Sequence, residues 1–85
     1  MYTITFKDSA FKELKKIQQQ HQVLIVAKIE ELEQNPRPAG CKKLKAQTET
    51  LFRIKSGDYR IIYKIEDQIK IVNIRKIGNR KDVYR

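Results

Sequence analysis

Apolar and polar residues recur along this chain at two different periods, and the change of period marks its elements. Tyr2, Ile4 and Phe6 alternate with threonines, the period-2 pattern of a half-buried strand. Asp8 or Ser9 then offers a helix N-cap, and from Ala10 the residues Phe11, Leu14 and Ile17 recur at helical spacing, with Lys12, Glu13, Lys15 and Lys16 on the other faces. The polar run Gln18-Gln19-Gln20-His21-Gln22 weakens that pattern. A second apolar stripe, Ile25, Ile29 and Leu32, follows and ends at Asn35-Pro36. Two helices packed as a hairpin fit this best, although glutamine is a good helix former and one longer helix is compatible with the run.

Pro36-Arg37-Pro38-Ala39-Gly40 is too rigid and too broken for a regular element and reads as a connector, with Cys41-Lys42-Lys43-Leu44-Lys45 just beyond it. Leu51 to Lys55, Tyr59 to Ile65 and Ile69 to Ile77 are rich in branched and aromatic residues. Ser56-Gly57-Asp58 and Glu66-Asp67-Gln68 separate them as turns. The expected layout is β-α-α-β-β-β, an α+β fold with a two-helix hairpin on one face of a small, mainly antiparallel, twisted sheet. Eighty-five residues leave room for one core, so residues 1–85 are expected to form a single domain.

Charge changes the picture more than length does. The chain has 19 Lys and Arg against 10 Asp and Glu, a formal charge of +9. Residues 1–40 hold six basic and five acidic side chains, residues 41–85 thirteen and five, so the halves carry +1 and +8. A charge serving solubility alone would spread over both halves; this asymmetry implies a polyanion as partner. One cysteine and one histidine cannot build a four-ligand Cys/His zinc site, and neither metal nor cofactor is expected. The amino terminus lacks the pattern of a secretory signal and no apolar stretch approaches membrane-spanning length, so the expected location is cytoplasmic and no membrane is implied.

Strand alternation says where the excess charge goes. Phe52 and Ile54 share one face, and Leu51, Arg53 and Lys55 the other. In the next strand Tyr59, Ile61, Tyr63 and Ile65 form the apolar set, so Arg60, Ile62 and Lys64 face away from it. If both apolar sets meet the helices, Arg53, Lys55 and Arg60 share the open face. Three cations on one face repel one another unless an anion neutralises them, an arrangement that binding can use. Arg60 leads this set because a guanidinium grips phosphate at two points. Gly78 can bend the chain after the last strand, so that the tail folds back and brings Arg80 and Tyr84 toward the cationic face. Lys42, Lys43 and Lys45 form a second basic cluster suited to backbone phosphates. His21 reads as a surface histidine and Cys41 as a small, partly buried residue.

Residues 51–65, Leu-Phe-Arg-Ile-Lys-Ser-Gly-Asp-Tyr-Arg-Ile-Ile-Tyr-Lys-Ile, resemble the signature segment of the RelE/ParE toxin superfamily, and the ending Gly-Asn-Arg-Lys-Asp-Val-Tyr resembles that of RelE-type members. The opening helix Phe-Lys-Glu-Leu-Lys-Lys, the Asn-Pro-Arg-Pro break and the Lys-Leu-Lys after it are also similar, so the resemblance covers nearly the whole chain. It implies a type II toxin that enters the ribosomal A site and cleaves messenger RNA without a metal. On the matching positions Arg53, Lys55 and Arg60 would clamp the phosphoryl group, Arg80 would assist the leaving oxygen, and Tyr84 would stack on a base or take part in proton transfer. The implied partners are the ribosome, its messenger and a RelB-like antitoxin with an extended acidic segment.

The chain departs from the family pattern at two places. Leu51 stands where some RelE toxins carry another basic residue, and Asn79 where many have a histidine, so an acid/base step by histidine has no group at that position. Two other readings therefore stay open: a ParE-like inhibitor of DNA gyrase that uses the same fold without cleavage, and a non-catalytic RNA-binding homologue.

Overall fold

The computed structural model describes residues 1–83. Its elements are β1 (Thr3–Phe6), α1 (Asp8–Lys15), α2 (Gln19–Glu31), β2 (Lys42–Lys45), β3 (Thr50–Ser56), β4 (Tyr59–Glu66) and β5 (Ile71–Asn79). The five strands lie in the order β1-β5-β4-β3-β2. The chain starts at one edge, crosses to the far edge through both helices, and meanders back until β5 lies parallel to β1; every other pairing is antiparallel.

The expected α+β layout is present, with one strand more than the hydrophobic pattern shows. Lys42-Lys43-Leu44-Lys45 has a single apolar residue and no β-branched one, and it becomes a strand only by pairing with residues 50–53 of β3. As a short, lysine-rich edge it also discourages pairing with another chain.

The expected two helices are present, and the break between them falls at residues 16–18, just before most of the polar run, whose residues 19–22 open α2. The last turn of α1 tightens, with the Ile17 N–H donating to the Leu14 carbonyl, and the Gln18 carbonyl accepts from His21 and Gln22 to start α2. The side-chain amide of Gln22 then donates 2.9 Å to the Leu14 carbonyl, so the second helix caps the end of the first. The α1 stripe differs in one member. Ala10 and Leu14 are buried, whereas Phe11 is 47% exposed and sits beside the sheet, edge-on to Phe6. The small side chain of Ala10 occupies the position facing the sheet. In α2 the buried positions are Ile25, Ile29 and the C-capping Leu32, as their spacing predicts.

These residues meet Ile54, Ile61, Tyr63, Val72, Ile74 and Ile77 in the core. Tyr63 is fully buried, and burial pushes its hydroxyl well above the usual tyrosine range. That hydroxyl donates 2.8 Å to the Pro36 carbonyl, which ties the connector to the sheet. A second tie is polar: Arg37 grips Asp67 with two nitrogens while Tyr2 donates to the same carboxylate, joining the connector, the β4–β5 turn and the amino terminus. The β3–β4 turn is a two-residue hairpin with Gly57 at φ +60°, a conformation that favours glycine. Among the described residues no helix is long and apolar enough to cross a membrane.

Candidate nucleic-acid interface

With Phe52, Ile54, Ile61, Tyr63, Val72, Ile74 and Ile77 packed toward the helices, the remaining strand positions face outward. Residues paired directly across antiparallel strands point to the same side. Lys55 pairs with Arg60, and Arg60 with Gly78; one step along, Lys42 pairs with Arg53, Arg53 with Ile62, and Ile62 with Lys76. Two cross-strand rows of the open face therefore carry Lys55 and Arg60, and Lys42, Arg53 and Lys76. The three cations expected to converge, Arg53, Lys55 and Arg60, do share this face.

Arg60 is less accessible than an isolated strand would make it. It is 7% exposed, and its Nη1 donates to the carbonyls of Gly57 and Tyr59, both at 3.1 Å. The chain after β5 explains part of this cover. Asn79 starts a tight turn: its side chain accepts from the Lys81 N–H and its carbonyl from Asp82 and Val83. The turn places buried Val83 directly over Gly78, 3.6 Å from where a Cβ would project, and Gly78 is the cross-strand partner of Arg60. Arg80 is anchored at the same end of the sheet, its N–H donating 2.8 Å to the Asp58 carbonyl, and its own residue is exposed. Tyr84 lies outside the described residues.

The opposite end of the open face is neutralised. Glu49, from the β2–β3 turn, receives two hydrogen bonds from Arg75, at 2.9 and 3.1 Å, and pairs with Lys64, which also meets Glu66. The bonds from Arg75 hold the Glu49 carboxyl below the usual carboxylate range, so it stays charged and keeps both cations occupied. No ion pair reaches Lys42, Lys55 or Lys76 among the described residues. Unpaired positive charge is thus gathered at the end nearest Gly57, Arg80 and the folded-back tail.

The second basic cluster is divided. Lys42 belongs to the Arg53 row, while Lys43 and Lys45, paired with Phe52 and Thr50, take the alternate positions and point to the helix side of the sheet edge. Beside Lys42 the outer edge of β3 opens into a groove of about 400 Å³, bounded by Pro38–Gly40, Lys28 of α2, Arg53 and Lys55. Among the described residues, no group of three or more His, Cys, Asp and Glu side chains is placed to hold a metal ion. His21 is partly buried, its ring 5.4 Å from that of Tyr59, so it is a packing residue where the sequence reads as a plain surface one. Cys41 is partly buried against the core, as expected.

The sequence profile of the family described as ParE toxin of type II toxin-antitoxin system, parDE, matches residues 4–84. The chain belongs to the RelE/ParE family of toxins. It is 30% identical over 88 residues to Toxin RelG of Mycobacterium tuberculosis, an alignment that takes in 99% of this chain and 97% of that protein. Its fold is similar to a chain of the archaeal RelE–RelB complex from Pyrococcus horikoshii, with a TM-score of 0.82, 26% identity and coverage of 96% and 98% of the two chains. The isolated RelE toxin of E. coli is similar with a TM-score of 0.79 and 26% identity, over 93% of this chain and 84% of that one.

In this toxin two cations of the open face, Arg75 and Lys76, escape the sequence reading. The buried residues of β5 are Val72, Ile74 and then Ile77, so the alternation skips a step. That skip is a β-bulge: Ile62 pairs with Lys76 and Tyr63 with Ile74, which leaves Arg75 as the extra residue. Both Arg75 and Lys76 consequently face outward. The adjacent Arg-Lys pair between two core isoleucines was the available signal.

Proposed function

We propose that this toxin is a ribosome-dependent endoribonuclease that cleaves messenger RNA in the A site without a metal ion. The observation that carries the reading is the sorting of charge on the open face, where acidic residues occupy Lys64 and Arg75 and leave Lys42, Lys55 and Lys76 unpaired among the described residues. Such a surface fits a phosphodiester backbone. In the proposed reaction the ribose 2′-oxygen loses its proton and bonds to the adjacent phosphorus, the bond from phosphorus to the 5′-oxygen breaks, and that oxygen takes up a proton. A 2′,3′-cyclic phosphate and a 5′-hydroxyl result. Arg53, Lys55 and Arg60 stabilise the charge that builds on the phosphoryl oxygens. Arg80 assists the departing oxygen, and Tyr84 stacks on a base or takes part in proton transfer. Lys42 adds affinity for backbone phosphates on this face, and Lys43 and Lys45, on the other side of the sheet edge, add it toward ribosomal RNA.

Arg60 has five N–H donors and uses Nη1 on two carbonyls, so its Nε and Nη2 are the groups assigned to phosphate. Access to them requires the turn bearing Val83 to shift. A ribosome that presents the messenger in a bent form supplies the selectivity, and free RNA is cut poorly. The similarity to RelE of a RelE–RelB complex supports a cognate antitoxin as partner, with acidic side chains against the cationic end. Adding the purified toxin to translating ribosomes and mapping messenger ends tests the reading. Cuts within A-site codons are expected, and intact messenger at full translational arrest would overturn it.

A second reading, inhibition of DNA gyrase without cleavage, is favoured by one observation. Val23 and Leu24 of α2 are both 60% exposed and Val26 is 36% exposed, an apolar strip suited to docking a protein. Inhibition of supercoiling with messenger left whole would select it.

A further inference from the structure

We infer that Lys76 is a phosphate-binding residue of the RNA site, and that the RNA strand runs across the sheet along the row Lys42–Arg53–Ile62–Lys76, perpendicular to the strands. The inference rests on the nuclease reading and adds to it a residue and a direction.

Three observations converge on the row. Its members are consecutive direct partners in the sheet, Lys42 with Arg53, Arg53 with Ile62 and Ile62 with Lys76, so their side chains stand side by side on one face. Three steps between neighbouring strands, at about 4.8 Å each, put Lys42 and Lys76 roughly 14 Å apart, with Arg53 between them. That is a line of cations long enough to track several backbone groups.

The second observation is the bulge. Without the extra residue, β5 would carry one outward side chain between Ile74 and Ile77; with it, the strand delivers two cations there. Arg75 is then committed to Glu49 through two hydrogen bonds and to Asn73 through its Nε. Lys76 has no ion-pair partner among the described residues, although the acidic side chains that occupy its neighbours lie on the same face.

The third is Ile62 itself. It is 7% exposed although it lies on the outward side, and its direct cross-strand neighbours there are Arg53 and Lys76. An apolar floor beneath long basic side chains lets their methylene stems pack while the charged ends stay in water. A lone ammonium ion brings charge without the two-point geometry of a guanidinium, so Lys76 suits a flanking phosphate that needs to be held, not turned over.

The test is binding of a short single-stranded 2′-O-methyl RNA, which lacks a free 2′-hydroxyl and is not cut, measured across a range of salt concentrations. For the wild-type toxin the logarithm of affinity falls linearly with the logarithm of salt. Lys76→Met keeps the aliphatic stem and removes the charge. It is expected to flatten that slope by about 0.7 and to weaken binding about fivefold near 0.1 M salt, the effect of one lost phosphate contact on a single strand. Lys76→Arg is expected to retain the wild-type slope, and Lys12→Met, an equal charge loss on the exposed side of α1, to leave slope and affinity within twofold of wild type. Equal behaviour of Lys76→Met and Lys12→Met would overturn the inference while the nuclease reading stands. A wild-type toxin that shows no salt-dependent RNA binding would overturn the inference, while the nuclease reading falls only if messenger on translating ribosomes stays whole. If Lys76→Met lowers affinity for an acidic antitoxin segment and not for RNA, the row belongs to the antitoxin and the inference fails.

Discussion

Arg60 combines two roles that are usually separate, because it is nearly buried and is also assigned to the phosphate. Replacing it with alanine removes the donor from the Gly57 and Tyr59 carbonyls as well as the cation. Arg60→Ala is therefore expected to abolish cleavage and to lower unfolding free energy by about 1.5–3 kcal/mol, the range for hydrogen bonds to charged groups. Urea denaturation beside a cleavage assay separates the two losses. Lys55 offers the cleaner comparison, since it is exposed and free of ion pairs among the described residues. Lys55→Met is expected to leave stability within about 0.5 kcal/mol of wild type. Its single-turnover cleavage on programmed ribosomes should fall about a hundredfold, as for loss of one group that stabilises developing charge. Unchanged cleavage would remove Lys55 from the site. Tyr63→Phe makes no difference to the site and deletes the bond to Pro36, so about 1 kcal/mol of stability should be lost without loss of activity.

Among the elements, the β4–β5 turn carries a titration that can be followed. Hydrogen bonds from Arg37 and then Tyr2 pull the Asp67 carboxyl down to about 2. A carboxylate whose folded value lies below its unfolded one of about 3.9 adds stability above that pH, and the contribution disappears as pH falls through the folded value. Stability measured from pH 5 downward is thus expected to fall between about pH 4 and pH 2, and Asp67→Asn should flatten that part of the profile. The elements themselves were unequally legible. Faces of β3 and β4 could be read because period-2 alternation runs unbroken from Phe52 to Ile54 and from Tyr59 to Ile65, and this placed Arg53, Lys55 and Arg60 together. The hairpin break was visible as a polar run, though not that Gln22 would cap the Leu14 carbonyl across it. Strand β2 was hidden because Lys42-Lys43-Leu44-Lys45 owes its conformation to pairing with β3 and not to its own composition. Burial of Arg60 was equally hidden, since period-2 alternation shows neither its bonds to the Gly57 and Tyr59 carbonyls nor that the turn at Asn79 sets Val83 over its cross-strand partner Gly78.

At the scale of the whole molecule, the cations that the described strands place on the open face fall into two regions. Glu49 and Glu66 neutralise one, and the other presents its cations beside the carboxyl-terminal turn. Adding charge to the neutralised region should extend the attractive surface without touching the site. Glu49→Gln is expected to steepen the salt dependence of RNA binding by freeing Arg75, while Lys64 keeps its pair with Glu66; a slope equal to wild type would show that Glu49 does not limit the interface. The proposed reaction at this face is attack by the 2′-oxygen on the neighbouring phosphorus. It is tested most directly by placing one 2′-deoxyribonucleotide on the 5′ side of the cut in a messenger bound to programmed ribosomes. Rapid cleavage of the all-ribose messenger is expected, leaving a 2′,3′-cyclic phosphate and a 5′-hydroxyl, with no cleavage at the deoxy position. Cutting at the deoxy position, or a ribose messenger left whole while translation stops, would contradict it.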